Sequence, residues 1–257
     1  MLSEIKTVNV GGIQTACINR FDLAQFIGGY ANQKADDIKP VLIFSANGHS
    51  VSEANTDPEY MRIMNTADLV HADGQSIVKF SRWVAGESGI PERTATTDMI
   101  HDVPNMYEGN VKHFLLGGKK SIVEKSAQIM ADKYNNFDVV GTQDGYFSLD
   151  EEQEVINNIN SSGCQVLWVG LGKPKEQEFC IRNKDKLNVP VIISCGGCYN
   201  FITGDYARAP QWMQDRGLEW VHRVLTRPRQ LFWRYLTTNP HAIYCVIKHK
   251  LTSGRGS

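Results

Sequence analysis

Val166-Leu-Trp-Val-Gly-Leu-Gly-Lys-Pro-Lys175 is a short apolar run that breaks into a glycine-rich turn, with a proline suited to the first turn of a helix. The run predicts a buried strand over Val166–Val169, and the polar-apolar periodicity beyond it predicts a helix from Pro174 to Lys186. The same grammar repeats on both sides. Val189-Pro-Val-Ile-Ile193 reads as the last strand, and Val41-Leu-Ile-Phe44 as an early one that delivers the polar turn Ser45-Ala-Asn-Gly48. A helix from Asp57 to Thr66 then leads into a strand in Asp68-Leu-Val-His-Ala-Asp-Gly74. His113-Phe-Leu-Leu116 is another strand, followed by Gly117-Gly118, a helix to about Tyr134 and a strand at Asp138-Val-Val140. Ser148-Leu-Asp-Glu151 has the form of a capping box, opening a helix that runs to about Asn160. Strands alternating with helices predict an α/β fold: a mostly parallel sheet flanked by helices on both faces.

The 257 residues suffice for one large domain with a small appendage, and 42% apolar with 21% charged residues exclude wholesale disorder. No apolar run reaches the roughly 18 residues of a membrane span, and Met1 to Gly12 lack the apolar stretch of a secretory signal. The six cysteines (Cys17, Cys164, Cys180, Cys195, Cys198 and Cys245) fall mostly in apolar runs, which suits reduced thiols in the cytosol. Cys195-Gly-Gly-Cys198 has CxxC spacing but no second pair, so a buried strand end is favoured over zinc or redox use.

Open α/β sheets bind ligands at the carboxyl ends of their strands. Four predicted loops there are polar or glycine-rich: 45–48, Asp73-Gly74, 117–121 and 170–175. Two of them set glycine and lysine before a helix, a natural phosphate site, although glycine also simply closes βα turns. Neither the P-loop nor the dinucleotide fingerprint is present. Asp73 follows a strand and precedes a glycine, so its carboxylate can serve as a general base, hold a metal, or merely cap a turn. Asp98 reads as a helix N-cap. His49, His71, His101 and His113 read as surface or loop residues, and no histidine pair at metal spacing supports a bound ion.

Past Asp205 the character changes. Residues 207–250 hold no good strand but carry Trp212, Trp220 and Trp233, and five arginines against no lysine lie between Trp212 and Tyr235. Arg216, Arg223, Arg227 and Arg234 are spaced 7, 4 and 7 apart, which on one helix puts them within roughly 40° of each other. Pro228 should break that helix near Arg227. The stripe is either a solvated basic face or an anion site, and arginine suits bidentate phosphate contacts. The expected organisation is an α/β nucleotide-binding body at 1–206, a helical appendage at 207–251 that completes the site, and a disordered tail at 252–257. Deletion from Trp212 onward is expected to abolish function and leave a folded body.

In these residues the chain resembles the WecG/TagA/CpsF family of bacterial glycosyltransferases, from about Thr7 to Tyr235. The resemblance lies in Ser45-Ala-Asn47, Ala67-Asp-Leu-Val-His-Ala-Asp-Gly74, Glu92-Arg93 with Asp98, Leu115-Leu-Gly-Gly118 and Val169-Gly-Leu-Gly-Lys-Pro-Lys175. It continues through Arg208-Ala-Pro210, Trp212, Gly217-Leu-Glu-Trp220, Arg223, Arg227-Pro228 and Arg234-Tyr235. It implies a Rossmann-like sheet and inverting, metal-independent transfer of a sugar from a UDP-sugar to an undecaprenyl-diphosphate-linked acceptor, by a protein held peripherally at the cytoplasmic face of the membrane. It also implies no cofactor, Asp73 as base with Ser45 and Asn47 beside it, and a donor site over Gly117, Gly118, Gly172, Pro174, Gln177 and Arg93. Arg208, Arg216, Arg223, Arg227 and Arg234 would clamp the diphosphate. The sequence departs from the family at Ser45 (usually threonine), at Glu176-Gln177 (usually in the reverse order), at Tyr199-Asn200 and at Thr96, all expected at the ligand edge. Which of Glu176 and Gln177 faces the nucleotide stays open, as does homo-oligomerisation. The competing readings are a nucleotide-sugar epimerase in the same crevice, disfavoured by the missing dinucleotide fingerprint, and a nucleic-acid binder, disfavoured by the absence of any known module.

Overall fold

The computed structural model describes residues 2–33 and 39–253. The chain opens with an antiparallel hairpin, β1 (Thr7–Val10) and β2 (Ile13–Ala16), and helix α1 (Arg20–Ala31), N-capped by Asn19. The sheet then begins with β3 (Val41–Ala46), α2 (Gly48–Thr56), α3 (Pro58–Asn65), β4 (Leu69–Ala72), α4 (Gln75–Ala85) and α5 (Thr96–Met106). It continues through β5 (Val111–Gly117), α6 (Lys120–Lys133), β6 (Phe137–Gln143), α7 (Glu152–Ser162), β7 (Val166–Gly170), α8 (Lys175–Asn183), β8 (Val191–Ser194) and α9 (Cys198–Ile202). Six strands pair in the order β4-β3-β8-β7-β5-β6, every pair parallel. This is the parallel α/β sheet expected from the alternating pattern, Rossmann-like as the resemblance implies.

The alternation of side chains along each strand explains why both faces need helices. Leu42, Phe44, Phe114, Leu116, Leu167 and Val169 point into one core, while Val41, Ile43, Leu115, Trp168 and Ile193 point into the other. Strands buried on both faces cannot show a polar side, which is why they read as continuous apolar runs. The capping box forms reciprocally, Ser148 N–H to Glu151 Oε2 at 2.7 Å and Glu151 N–H to Ser148 Oγ at 3.4 Å, one turn ahead of α7. Two of the histidines expected at the surface are the opposite: His71 in β4 and His113 in β5 have no exposure. His113 stacks on Phe137 and its Nδ1 accepts from Trp168 Nε1 at 3.1 Å, so one of its two ring nitrogens has a partner inside the core, while Nε2 has none. His49 and His101 are half-buried in α2 and α5.

The C-terminal part is three helices, α10 (Gln211–Arg216), α11 (Glu219–Thr226) and α12 (Pro228–Ser253). Gly217, left-handed at φ 75°, ends α10, and Pro228 opens α12, so the arginine stripe is divided among separate helices. Thr252 and Ser253, expected in a disordered tail, continue α12; residues 254–257 lie outside the described residues. Most of α12 is not an appendage. Ala242, Cys245 and Val246 are buried in the same core as α2 and the hairpin, and His241 and His249 hydrogen-bond Ser52 and Asn55 of α2. The opposite side of α12 exposes Trp233, Leu236, Tyr244, Ile247 and Leu251, successive turns of one helical stripe. Among the described residues no helix is long and apolar enough to cross a membrane.

Candidate active site

The carboxyl ends of β3, β4, β7 and β8 open into one cleft of about 710 Å³, roofed by α11 and α12. That volume and place suit a ligand of nucleotide size. Asp73 lies on its floor, just past β4. Its Oδ1 accepts from Thr96 N–H (3.0 Å) and Thr96 Oγ1 (3.3 Å), and its Oδ2 accepts from Asn47 Nδ2 (3.3 Å). Asn47 is held by a second duty. Its Oδ1 caps α2 by accepting from Ser50 N–H at 3.1 Å, which turns the amide NH₂ toward Asp73. Gly74 passes close to Asn47, where an added Cβ would meet Asn47 Cβ at 3.1 Å, so the two loops pack without room for a side chain.

Burial raises the proton affinity of Asp73, but His71, Lys173, Arg223 and the Thr96 N–H pull it down to about 2. Burial holds His71 near 4, so it is neutral around pH 7, and there the two cations and the Thr96 donor keep Asp73 ionised. Lys173 reaches the floor by donating to Ser45 O (2.8 Å) and Ser50 Oγ (2.9 Å). Ser45 itself lines the cleft, almost fully buried. Burial, with Arg234 and Lys173, lowers His49 on the same wall to about 4, so it too is uncharged near pH 7.

The expected arginines divide into two groups. Arg93, Arg223 and Arg234 line the cleft. Arg93 and Arg223 share Glu219, which accepts from Arg93 Nη1 at 2.6 Å and from Arg223 Nη2 at 2.6 Å. Gln214 accepts from Arg93 at 3.0 Å and from Arg208 at 2.9 Å, and Asp98 accepts from Arg208 at 2.5 Å. This network ties α10 and α11 to the body. Asp98 is therefore not the N-cap of α5, a position taken by Ala95, but an ion-pair partner in its first turn. Arg208, Arg216 and Arg227 are not cleft-lining residues: Arg208 is spent on Asp98 and Gln214, Arg216 is exposed beside Trp212, and Arg227 lies 3.2 Å over the Tyr206 ring.

The glycine loops divide the same way. Gly172 lines the cleft. Gly117 and Gly118 do not; Gly117 adopts φ 127° against β7, where a Cβ would stand 2.2 Å from Gly170 O, so strand packing accounts for the glycine. Pro174 precedes α8 outside the cleft wall, and Gln177 is fully buried with its amide unpartnered; the residue that reaches the cleft is Glu176. Tyr199 also leaves the ligand edge, buried with its hydroxyl donating to Trp168 O at 2.8 Å. Cys195 and Cys198 line the cleft as free thiols whose acidity burial suppresses, Cys198 being pushed up to about 12. Sequence reasoning missed Thr96 as a support of Asp73, and Glu219 and Gln214 as the anchors of the arginines. Thr96 reaches Asp73, and Gln214 and Glu219 reach Arg93, across 23 to 126 residues, beyond any local pattern, whereas Glu219 and Arg223 stand at the i,i+4 spacing of one helix. Lys173 had a visible signal in its glycine-lysine loop.

An ionised carboxylate under a partly closed roof, in a cleft lined by two lysines and three arginines, can take a proton from a nucleophile while the cations hold a polyanionic leaving group. The comparisons agree with that chemistry. The chain is 25% identical over 249 residues, 95% of each protein, to an N-acetylglucosaminyldiphosphoundecaprenol N-acetyl-beta-D-mannosaminyltransferase of Bacillus spizizenii. The glycosyl transferase WecG/TagA/CpsF family matches residues 8–256. With that span covered, the chain belongs to the WecG/TagA/CpsF family and is a glycosyltransferase.

Proposed function

We propose that this enzyme transfers a hexose or N-acetylhexosamine-type sugar, with inversion and without a metal, from a UDP-sugar to an undecaprenyl-diphosphate-linked acceptor in cell-surface polysaccharide synthesis. The observation that carries the reading is Asp73, ionised on the floor of a cleft whose other charged groups are mostly cations. Asp73 Oδ2 takes the proton of the acceptor hydroxyl as that oxygen attacks the anomeric carbon. The bond from that carbon to the diphosphate breaks, and UDP leaves with the electron pair. Arg93, Arg223, Arg234 and Lys173 face the charge that develops on it, the task a divalent cation performs in other enzymes. The acceptor named for the Bacillus spizizenii relative, a diphosphoundecaprenol-linked N-acetylglucosamine, supports the lipid-linked assignment.

The decisive experiment presents undecaprenyl-diphosphate-N-acetylglucosamine with a panel of UDP-sugars in the presence of EDTA. Transfer from at least one donor is expected, and Arg223→Ala should reduce kcat/KM for that donor by about 10²-fold, the scale of one charge-stabilising donor. A strict requirement for Mg²⁺, or an Arg223→Ala variant at full activity, would remove the arginines from the diphosphate.

The exposed stripe of α12 supports peripheral attachment to the inner face of the membrane. Trp233 is 70% exposed and Leu251 64%, Phe232 beside Trp233 is exposed too, and Arg229 and Lys248 are exposed on the same helix. The paired change Phe232→Glu and Trp233→Glu is expected to weaken flotation with anionic phospholipid vesicles by roughly tenfold or more, as two inserted aromatics are lost and two like charges are gained. Unchanged flotation would rule out this helix as the contact.

A further inference from the structure

Glu176 lies in the first turn of α8, without exposure, on the cleft wall. Its Oε2 accepts from two backbone donors, Gly172 N–H and Gly196 N–H, each at 3.0 Å. Its Oε1 is buried and has no partner, alone in this among the buried carboxyl oxygens of the described residues. A dry carboxylate oxygen without a donor is costly, and protonation removes the cost. The proton belongs on Oε1, because the two amide donors already occupy Oε2. Glu176 then carries an O–H in the cleft wall, next to Gly196.

The surroundings act in the same direction. Burial pushes the Glu176 carboxyl up to about 7 despite the opposing pull of Lys173 and the two backbone donors, and Asp73 at the end of β4 pushes it further. The other titratable neighbours are the thiols of Cys180 in α8 and Cys195 after β8, both kept protonated by burial. The cleft histidines His49 and His71, held near 4, do not titrate between pH 6 and 9. A diphosphate entering the cleft adds negative charge and expels water, and both raise the proton affinity of Glu176 further.

We infer that Glu176 works as a neutral carboxylic acid whose Oε1–H donates a hydrogen bond to an acceptor oxygen of the bound nucleotide sugar. This rests on the nucleotide-sugar reading above. Its consequence is a proton linkage: above the point where free Glu176 ionises, each binding event takes up one proton. The ligand does not obscure this, because neither phosphate of a UDP-sugar is a terminal monoester of the kind that titrates near 6.

The test is calorimetric titration of UDP-N-acetylmannosamine into the wild-type, Glu176→Gln and Glu176→Leu proteins at pH 6.5 and 8.5, in two buffers of different ionisation enthalpy, with transfer assayed in parallel. Wild-type affinity is expected to fall about 20-fold between the two pH values, with uptake approaching one proton at pH 8.5. Glu176→Gln keeps an acceptor for the two amides and a permanent donor, so its affinity should be independent of pH and within a few-fold of wild type at pH 6.5. Glu176→Leu, with no donor, should bind at least about tenfold more weakly at both. If the leucine variant fails to fold, the glutamine comparison decides alone. Wild-type binding without proton uptake, or the same pH dependence in Glu176→Gln, overturns the inference. Linked binding without transfer from this donor sinks its use as the donor substrate and leaves Glu176 standing, whereas transfer without linkage sinks Glu176 alone. Failure of every UDP-sugar of the panel to bind overturns both.

Discussion

Asp73→Asn should lower kcat for sugar transfer by about 10²–10⁴-fold, the range for loss of a general base, while UDP affinity stays within a few-fold of wild type. The substitution is close in shape, and the oxygen of the new amide can still accept from Thr96 N–H. Two things are lost. The side chain can no longer take a proton, and its NH₂ now meets the NH₂ of Asn47, which cannot turn away because its oxygen caps α2. The low proton affinity of Asp73 in the empty cleft does not argue against its role. It keeps the carboxylate ionised down to about pH 2, so Asp73 puts no acidic limb on kcat/KM, which reports the free enzyme, between pH 4 and 9. Once a diphosphate offsets the charge of Lys173 and Arg223, the pull that depresses its basicity weakens. Transfer rates with calorimetric UDP binding decide the matter. A variant that keeps more than a tenth of the wild-type rate would assign the base elsewhere.

Deletion from Trp212 onward should abolish transfer and also destabilise the body, with a melting temperature lowered by more than about 10 °C or an insoluble product. The sequence suggests a separable appendage. The structure corrects that, because α12 supplies Ala242, Cys245 and Val246 to the core and covers α2 and the hairpin. Uncovering a buried aliphatic side chain costs on the order of 1.5–3 kcal/mol, and several are uncovered against a typical total of about 5–15 kcal/mol. Thermal melts followed by near-ultraviolet circular dichroism provide the check. A truncated protein that melts cooperatively at the wild-type temperature would restore the appendage. The role of the arginines is therefore tested by point substitution in the full chain, where the fold is kept.

Much of the architecture is legible because local rules state it. Strands buried on both faces are written as Val41-Leu-Ile-Phe44 and Val166-Leu-Trp-Val169, and Asp57 ahead of Pro58 marks the start of α3. Ser45, Asn47, Asp73 and Gly172 can be named because residues just past a parallel strand converge on one edge. The misses share a cause. Gly117 and Gly172 look alike as loop glycines, but only the neighbour decides whether a glycine meets a ligand or the backbone of β7. Arg208, Arg223 and Arg227 look alike as basic residues, until Asp98, far off in the chain, and the Tyr206 ring claim Arg208 and Arg227 and leave Arg223 lining the cleft. A surface reading of His71 and His113 fails because it weighs a polar residue type above its place inside a buried strand.

The sequence by itself determined the alternating α/β order, the parallel sheet, the family, and the strand end that carries Asp73. Those follow from periodicity and from motifs a few residues long. Only the tertiary structure decided that Thr96 and Asn47 hold Asp73, that three of the five tail and near-tail arginines turn away from the cleft, and that Glu176 rather than Gln177 reaches it. These depend on which side chains meet across long chain separations and on which are denied water, and neither contact nor burial is a property of any single stretch of residues.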